Sequence, residues 1–91
     1  MEIMFKTSFW KALSLTPKHI QEATREIITK IEHAKSLAET GLDVKKMEGQ
    51  KANEKYYRIR VGDWRIGCKL ESPSVIIITI LHRGSIYKLF P

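Results

Sequence analysis

One cysteine, Cys68, stands alone in the sequence, so an internal disulfide framework is excluded. The three histidines, His19, His33 and His82, are scattered and assemble no zinc spacing; neither a metal nor another cofactor is expected. No apolar run approaches the roughly 20 residues that a membrane-spanning helix needs, so no membrane partner is expected. Met1 to Ser8 lacks the basic head and apolar segment of a signal peptide, which points to the cytoplasm. Repeats, linkers and low-complexity segments are also missing. A chain of 91 residues supports one core, so residues 1–91 are expected to form a single domain.

What is present in excess is positive charge, a formal +6, and it is unevenly distributed. In residues 17–41, Lys18, Arg25, Lys30 and Lys35 balance Glu22, Glu26, Glu32 and Glu39. In residues 42–91, ten bases face five acids. An excess gathered in one half of a small domain points to a polyanion or an acidic protein as partner.

The hydrophobic pattern predicts the elements. Met1 to Thr7 alternates and reads as a first strand. Ser8 is a suitable N-cap for a short helix from Phe9 to about Leu15. Thr16-Pro17 signals a second helix, because threonine is a favoured cap and proline a favoured first helical residue. Its apolar stripe is Ile20, Ala23, Ile27, Ile31, Ala34 and Ala38, and Gly41 supplies the stop. Leu42 to Lys55 reads as a basic loop, with Lys45, Lys46, Lys51 and Lys55 as candidate RNA contacts and Met47 as an anchor to the core. From Tyr56 the period becomes two: Tyr57, Ile59 and Val61 fall on one face, Tyr56, Arg58 and Arg60 on the other. Gly62-Asp63 fits a two-residue turn, followed by a return strand from Trp64 to Leu70. Glu71-Ser72-Pro73-Ser74 is a further turn signal, and the apolar run Val75 to His82 suits a central strand.

A two-residue turn pairs Val61 with Trp64, sets Arg60 opposite Arg65, and sets Arg58 opposite Gly67. Like charges facing each other across a strand pair cost some tenths of a kcal/mol. An anion between the guanidinium groups reverses that sign, since each fork can donate two hydrogen bonds to phosphate oxygens. Gly67 opposite Arg58 suggests open space for a ligand's backbone. The bland alternative is a solvated strand face whose arginines pair with Glu48, Glu54 or Asp63.

His82-Arg83-Gly84-Ser85-Ile86-Tyr87 adds an imidazole, a guanidinium and a phenol. If these reach the arginine face, the set suits RNA cleavage, which needs a base for the 2′-hydroxyl, an acid for the departing 5′-oxygen and cations around phosphorus. Arginines can perform only the last task, because they keep their protons. His82 is either the titrating group or a histidine satisfied at the end of a core strand. Tyr87 is either a base or stacking residue, or a plug packed with Ile86 and Phe90. His19 and His33 read as surface residues of the charged helix.

The order strand, two helices, hairpin, final strand coincides with a local pattern. Lys46-Met47-Glu48-Gly49, Tyr57 to Gly67 and His82-Arg83 with Ile86-Tyr87 together resemble the RelE/ParE superfamily of toxins from bacterial type II toxin–antitoxin modules. The resemblance implies an α+β fold of order β-α-α-β-β-β, with a small antiparallel sheet and a two-helix hairpin packed on one face. It also implies a toxin silenced by a cognate antitoxin, which reaches operator DNA only through that complex. In the RelE branch the toxin enters the ribosome and cleaves mRNA without metal; in the ParE branch it poisons DNA gyrase. By position, Arg58 and Arg60 stand where the RelE branch has lysines, Arg65 matches an arginine, and Arg83 and Tyr87 match the terminal pair. Arginine at both lysine positions removes an amine base, which leaves His82 or Tyr87 for that task.

Overall fold

Alternation along Tyr56–Leu70 gives the sheet two unlike faces, and the other elements are arranged by that difference. The computed structural model describes residues 1–50 and 54–91. Its elements are β1 (Glu2–Phe5), α1 (Thr7–Ser14), α2 (Lys18–His33), a 3-10 turn (Ala38–Thr40), β2 (Val44–Lys46), β3 (Tyr56–Val61), β4 (Trp64–Glu71), β5 (Ser74–His82) and the single-turn helix α3 (Ile86–Leu89). The strands lie in the order β1-β5-β4-β3-β2.

The α+β architecture with two helices on one face is the expected one, and the sheet differs from expectation in two respects. β1 runs parallel to β5, so the sheet is mixed. The two helices and the intervening strands supply the crossover that a parallel pair requires. A short edge strand, β2, pairs with β3 where the sequence reads as loop. Its three residues, Val44-Lys45-Lys46, are too few and too charged to show an apolar alternation; lysines on an edge strand also discourage pairing with a further chain.

On one face, Phe9 of α1 and Ile20, Ile27 and Ile31 of α2 pack with Ile59, Val61, Ile66, Cys68, Val75, Ile77 and Ile80 of the sheet. The β3–β4 turn is the predicted two-residue turn, with Gly62 at φ 59° and Val61 paired with Trp64. In β5 the register shifts opposite Gly67/Cys68, where Gly67 pairs with Thr79 but Cys68 with Ile77. This bulge places Ile77 and Ile80, three residues apart, on the same face.

The helix ends also differ. Lys6, not Ser8, occupies the N-cap of α1, and the Ser8 hydroxyl donates to Ile78 O at 2.6 Å, tying the helix to β5. Thr16 closes α1 by donating to Leu13 O, so α2 begins one residue later, after Pro17. α2 stops at His33, before Ala34 and Ala38. There the Met1 ammonium donates to the carbonyls of Ile31, Glu32 and Ala34 at 3.2, 2.9 and 2.7 Å, a positive group at the negative end of the helix. Gly41, at φ 73°, ends the 3-10 turn instead.

The opposite face of the sheet carries a second, smaller core. Met47, Ile86 and Phe90 are buried there against Tyr56, Ile78 and Leu81. The Phe90 ring meets Tyr56 edge-on at 5.6 Å. α3 therefore lies on the arginine face, beside the charged rows of β2, β3 and β4.

Candidate functional site

The register of β3 and β4 confirms the pairings that the two-residue turn dictates: Arg60 opposite Arg65, and Arg58 opposite Gly67. Lys45 of β2 joins the same row on the other side of Arg58. The pKa of Arg65 lies below the usual arginine value, first through partial burial and then through the nearby charges of Arg58 and Arg60. Tyr87 and Asp43 oppose that shift. Backbone carbonyls also hold Arg65, which donates from Nη1 to Gly62 O at 2.8 Å and Trp64 O at 2.9 Å.

Arg58 is the centre of the cluster. Its side chain is only 11% exposed, it donates from Nε to the Tyr87 hydroxyl at 3.2 Å, and its Nη1 lies 3.2 Å from Asp43 Oδ1. Lys45, Lys46, Glu48, Arg58 and Tyr87 line a recess of about 190 Å³. Ile86 and Phe90 anchor α3, and Tyr87 between them is 63% exposed. Tyr87 is thus no core plug: packing of its neighbours presents its phenol to the arginines.

Other predicted site residues lie elsewhere. His82 pairs with Trp64, and the two rings meet edge-on at 5.6 Å on the helix-bearing face, beside Pro17, His19 and Ile20. The sheet itself separates it from Tyr87. Arg83 sits at the hairpin tip, where its amide donates to Asp63 O at 2.8 Å and its guanidinium lies 3.9 Å from the Asp63 carboxylate. Arg60 is exposed at that tip and also lines the cleft containing His82. Lys55 is exposed at the start of β3, outside the recess, and Lys51 lies outside the described residues. Gly67 does not open a ligand space, because the Phe90 ring fills it.

Asp43 was missed by sequence reasoning, which weighed Glu48, Glu54 and Asp63 as partners for the arginines. The missing information was β2: only its register brings the residue before Val44 alongside β3, where Asp43 O accepts from Arg60 N at 3.0 Å.

Comparison with known proteins places the chain in a family. The profile described as ParE toxin of type II toxin-antitoxin system, parDE, matches residues 3–87. The chain belongs to the RelE/ParE family of type II toxins. Among RelE/ParE relatives, Toxin RelE3 of Methanocaldococcus jannaschii is 40% identical over 91 residues, covering all of both chains. The toxin in a RelB-RelE antitoxin-toxin complex from Methanococcus jannaschii superposes with a TM-score of 0.79 at 39% identity, over 97% of this chain and 99% of that one. An archaeal RelE-RelB complex from Pyrococcus horikoshii gives 0.72 at 26% identity, over 91% and 94%. The RelE/ParE sheet thus carries, in this chain, an arginine-rich row with Tyr87 against it.

Proposed function

We propose that the chain is a ribosome-dependent mRNA endonuclease that inhibits translation and is silenced by a cognate RelB-like antitoxin. The observation that carries this reading is the Arg58–Tyr87 contact beside Arg65. It joins phosphate-binding cations to a proton-bearing oxygen on one face of the sheet. The RelE name of the relative at 40% identity and the RelB partner in the two solved complexes support it.

In the proposed reaction the 2′-oxygen attacks phosphorus and the P–O5′ bond breaks. The proton from the 2′-hydroxyl passes to solvent water, and the 5′-oxygen takes one from an acid. Arg58 and Arg65 stabilise the charge gathering on the phosphoryl oxygens, a task suited to preorganised cations. Tyr87 serves as the acid, because its oxygen already accepts from Arg58 and its hydrogen remains to be donated. Lys45 and Lys46 steer the RNA backbone into the recess. The antitoxin contributes an acidic or amphipathic segment that covers the arginines.

A translation-coupled cleavage assay tests the reading. Purified protein cuts mRNA on translating ribosomes and leaves free RNA mostly intact, and Arg65→Ala lowers the cleavage rate by about 10²-fold. Undiminished cleavage by both Arg58→Ala and Arg65→Ala would refute the site. The ParE description of the matched profile favours gyrase poisoning as a second reading. Inhibition of supercoiling without RNA cleavage would establish it instead.

A further inference from the structure

We propose that Asp43 is a positioning residue of this site: by holding one end of the Arg58 guanidinium, it fixes the other end on the Tyr87 hydroxyl. The inference rests on the nuclease reading for its consequence, but its geometry stands on three elements of the fold. Asp43 precedes β2 and is pinned to β3 through its own carbonyl, which accepts from Arg60 N. Its carboxylate Oδ1 lies 3.2 Å from Arg58 Nη1, and Arg58 Nε lies 3.2 Å from Tyr87 Oη.

A guanidinium is planar and rigid, so fixing Nη1 and Nε fixes the whole fork. Nη2, the nitrogen engaged by neither contact, is left to face a phosphate. Without the carboxylate, Arg58 would sit largely out of water among Arg65, Arg60 and Lys45 with its orientation set by repulsion. Burying a guanidinium in that company requires a compensating anion. Asp43 is half-exposed and reaches Arg58 from the edge of the sheet, so it provides that anion without filling the recess.

The effect reaches Tyr87 because α3 is a single turn. Ile86 and Phe90 bury their side chains, whereas the Tyr87 ring projects outward. The Arg58 Nε–H bond restrains its hydroxyl and occupies an oxygen lone pair, which turns the phenol hydrogen away from Arg58 and toward a ligand oxygen. Asp43 thereby acts on the reaction through Arg58 and then Tyr87, touching neither the RNA nor the phenol.

The test combines kinetics with an observation that needs no RNA. In single-turnover cleavage on ribosomes, Asp43→Asn lowers the maximal rate about tenfold with little change in half-saturating concentration, and Asp43→Glu restores most of it. Asp43→Asn added to Tyr87→Phe costs much less than tenfold beyond Tyr87→Phe alone, because most of its effect passes through the Arg58–Tyr87 contact. By NMR, the Arg58 Nε–H proton exchanges slowly with water in the wild type and in Asp43→Glu, and its signal is lost in Asp43→Asn and Tyr87→Phe. Losses that multiply, or an Arg58 signal unchanged by Asp43→Asn, overturn the inference while wild-type cleavage upholds the nuclease reading. A wild type that never cleaves, with an Arg58 signal that still depends on Asp43, overturns the nuclease reading and upholds the positioning role.

Discussion

Gly67 illustrates how one residue can be kept small for packing and not for backbone freedom. A Cβ there would lie 2.9 Å from two carbons of the Phe90 ring, inside the closest approach that side chains tolerate. Gly67→Ala is therefore expected to destabilise the fold by about 1–3 kcal/mol, the usual range for overpacking, as read from urea unfolding. Combined with Phe90→Ala the same change should cost less, because the obstructing ring is gone. Its neighbour Cys68 points into the helix-side core, where burial pushes the thiol up to about 12. Below the ordinary thiol range both folded and unfolded states keep the proton. Above it the unfolded thiol ionises while the buried one does not, so stability falls as pH rises toward 12. The expected contribution is on the order of 1 kcal/mol per pH unit above about pH 9. Denaturation curves of wild type and Cys68→Ala should show the mutant losing stability less steeply over that interval. His82 makes the contrasting case. It lies with Trp64 behind the sheet, and His82→Ala should leave ribosome-dependent cleavage within a few-fold of wild type. A loss comparable to that of Arg65→Ala would place the imidazole at the chemistry after all.

Among the elements, those with a strong period were legible in the sequence and those fixed by distant pairing were not. The β3–β4 hairpin could be registered residue by residue, because Gly62 permits the positive φ of a two-residue turn and the alternation continues on both sides. That register alone placed Arg60 against Arg65 and Arg58 against Gly67 on one face of the sheet. α2 was legible from its stripe, but not its end, since the carbonyls of Ile31, Glu32 and Ala34 are taken up by Met1, at the far end of the preceding sequence. β2 left no mark on the sequence, and with it Asp43 was missed. The bulge in β5 was equally silent in a run of isoleucines, yet it decides which of them face the helices. α3 joins the two kinds of information: Ile86-Tyr87 and Phe90 read as a terminal cluster, whereas only the structure shows Tyr87 facing outward. Phe90→Ala tests α3 as a support for the phenol. It should cost about 3–5 kcal/mol of stability, by removing a buried aromatic. In protein kept folded at low temperature, it should also reduce cleavage more than it reduces binding to ribosomes. Equal losses would mean that α3 only stabilises the sheet.

At the scale of the whole molecule, the charge divides along the same line as the two faces of the sheet. α2 and its flanks carry equal numbers of acids and bases, whereas the arginine face gathers Arg58, Arg60, Arg65 and Lys45 on three adjacent strands. Phosphates placed along that row would relieve repulsion already present in the fold and release their own counterions, so the affinity for single-stranded RNA should fall steeply with salt. Each cation removed from the contact should flatten the plot of log affinity against log salt by about 0.7. Arg60→Gln and Lys45→Gln are expected to do so singly, and additively when combined. Lys30→Gln, on the exposed side of the charge-balanced α2, should leave the slope unchanged. Arg58→Gln should flatten it by less than Arg60→Gln, because Asp43 already offsets part of the Arg58 charge. Fluorescence titrations of a labelled oligoribonucleotide at several salt concentrations would read the four single variants and the double one. A slope that responds to Lys30 as strongly as to Arg60 would move the polyanion surface to the helices and leave the arginine row to the antitoxin.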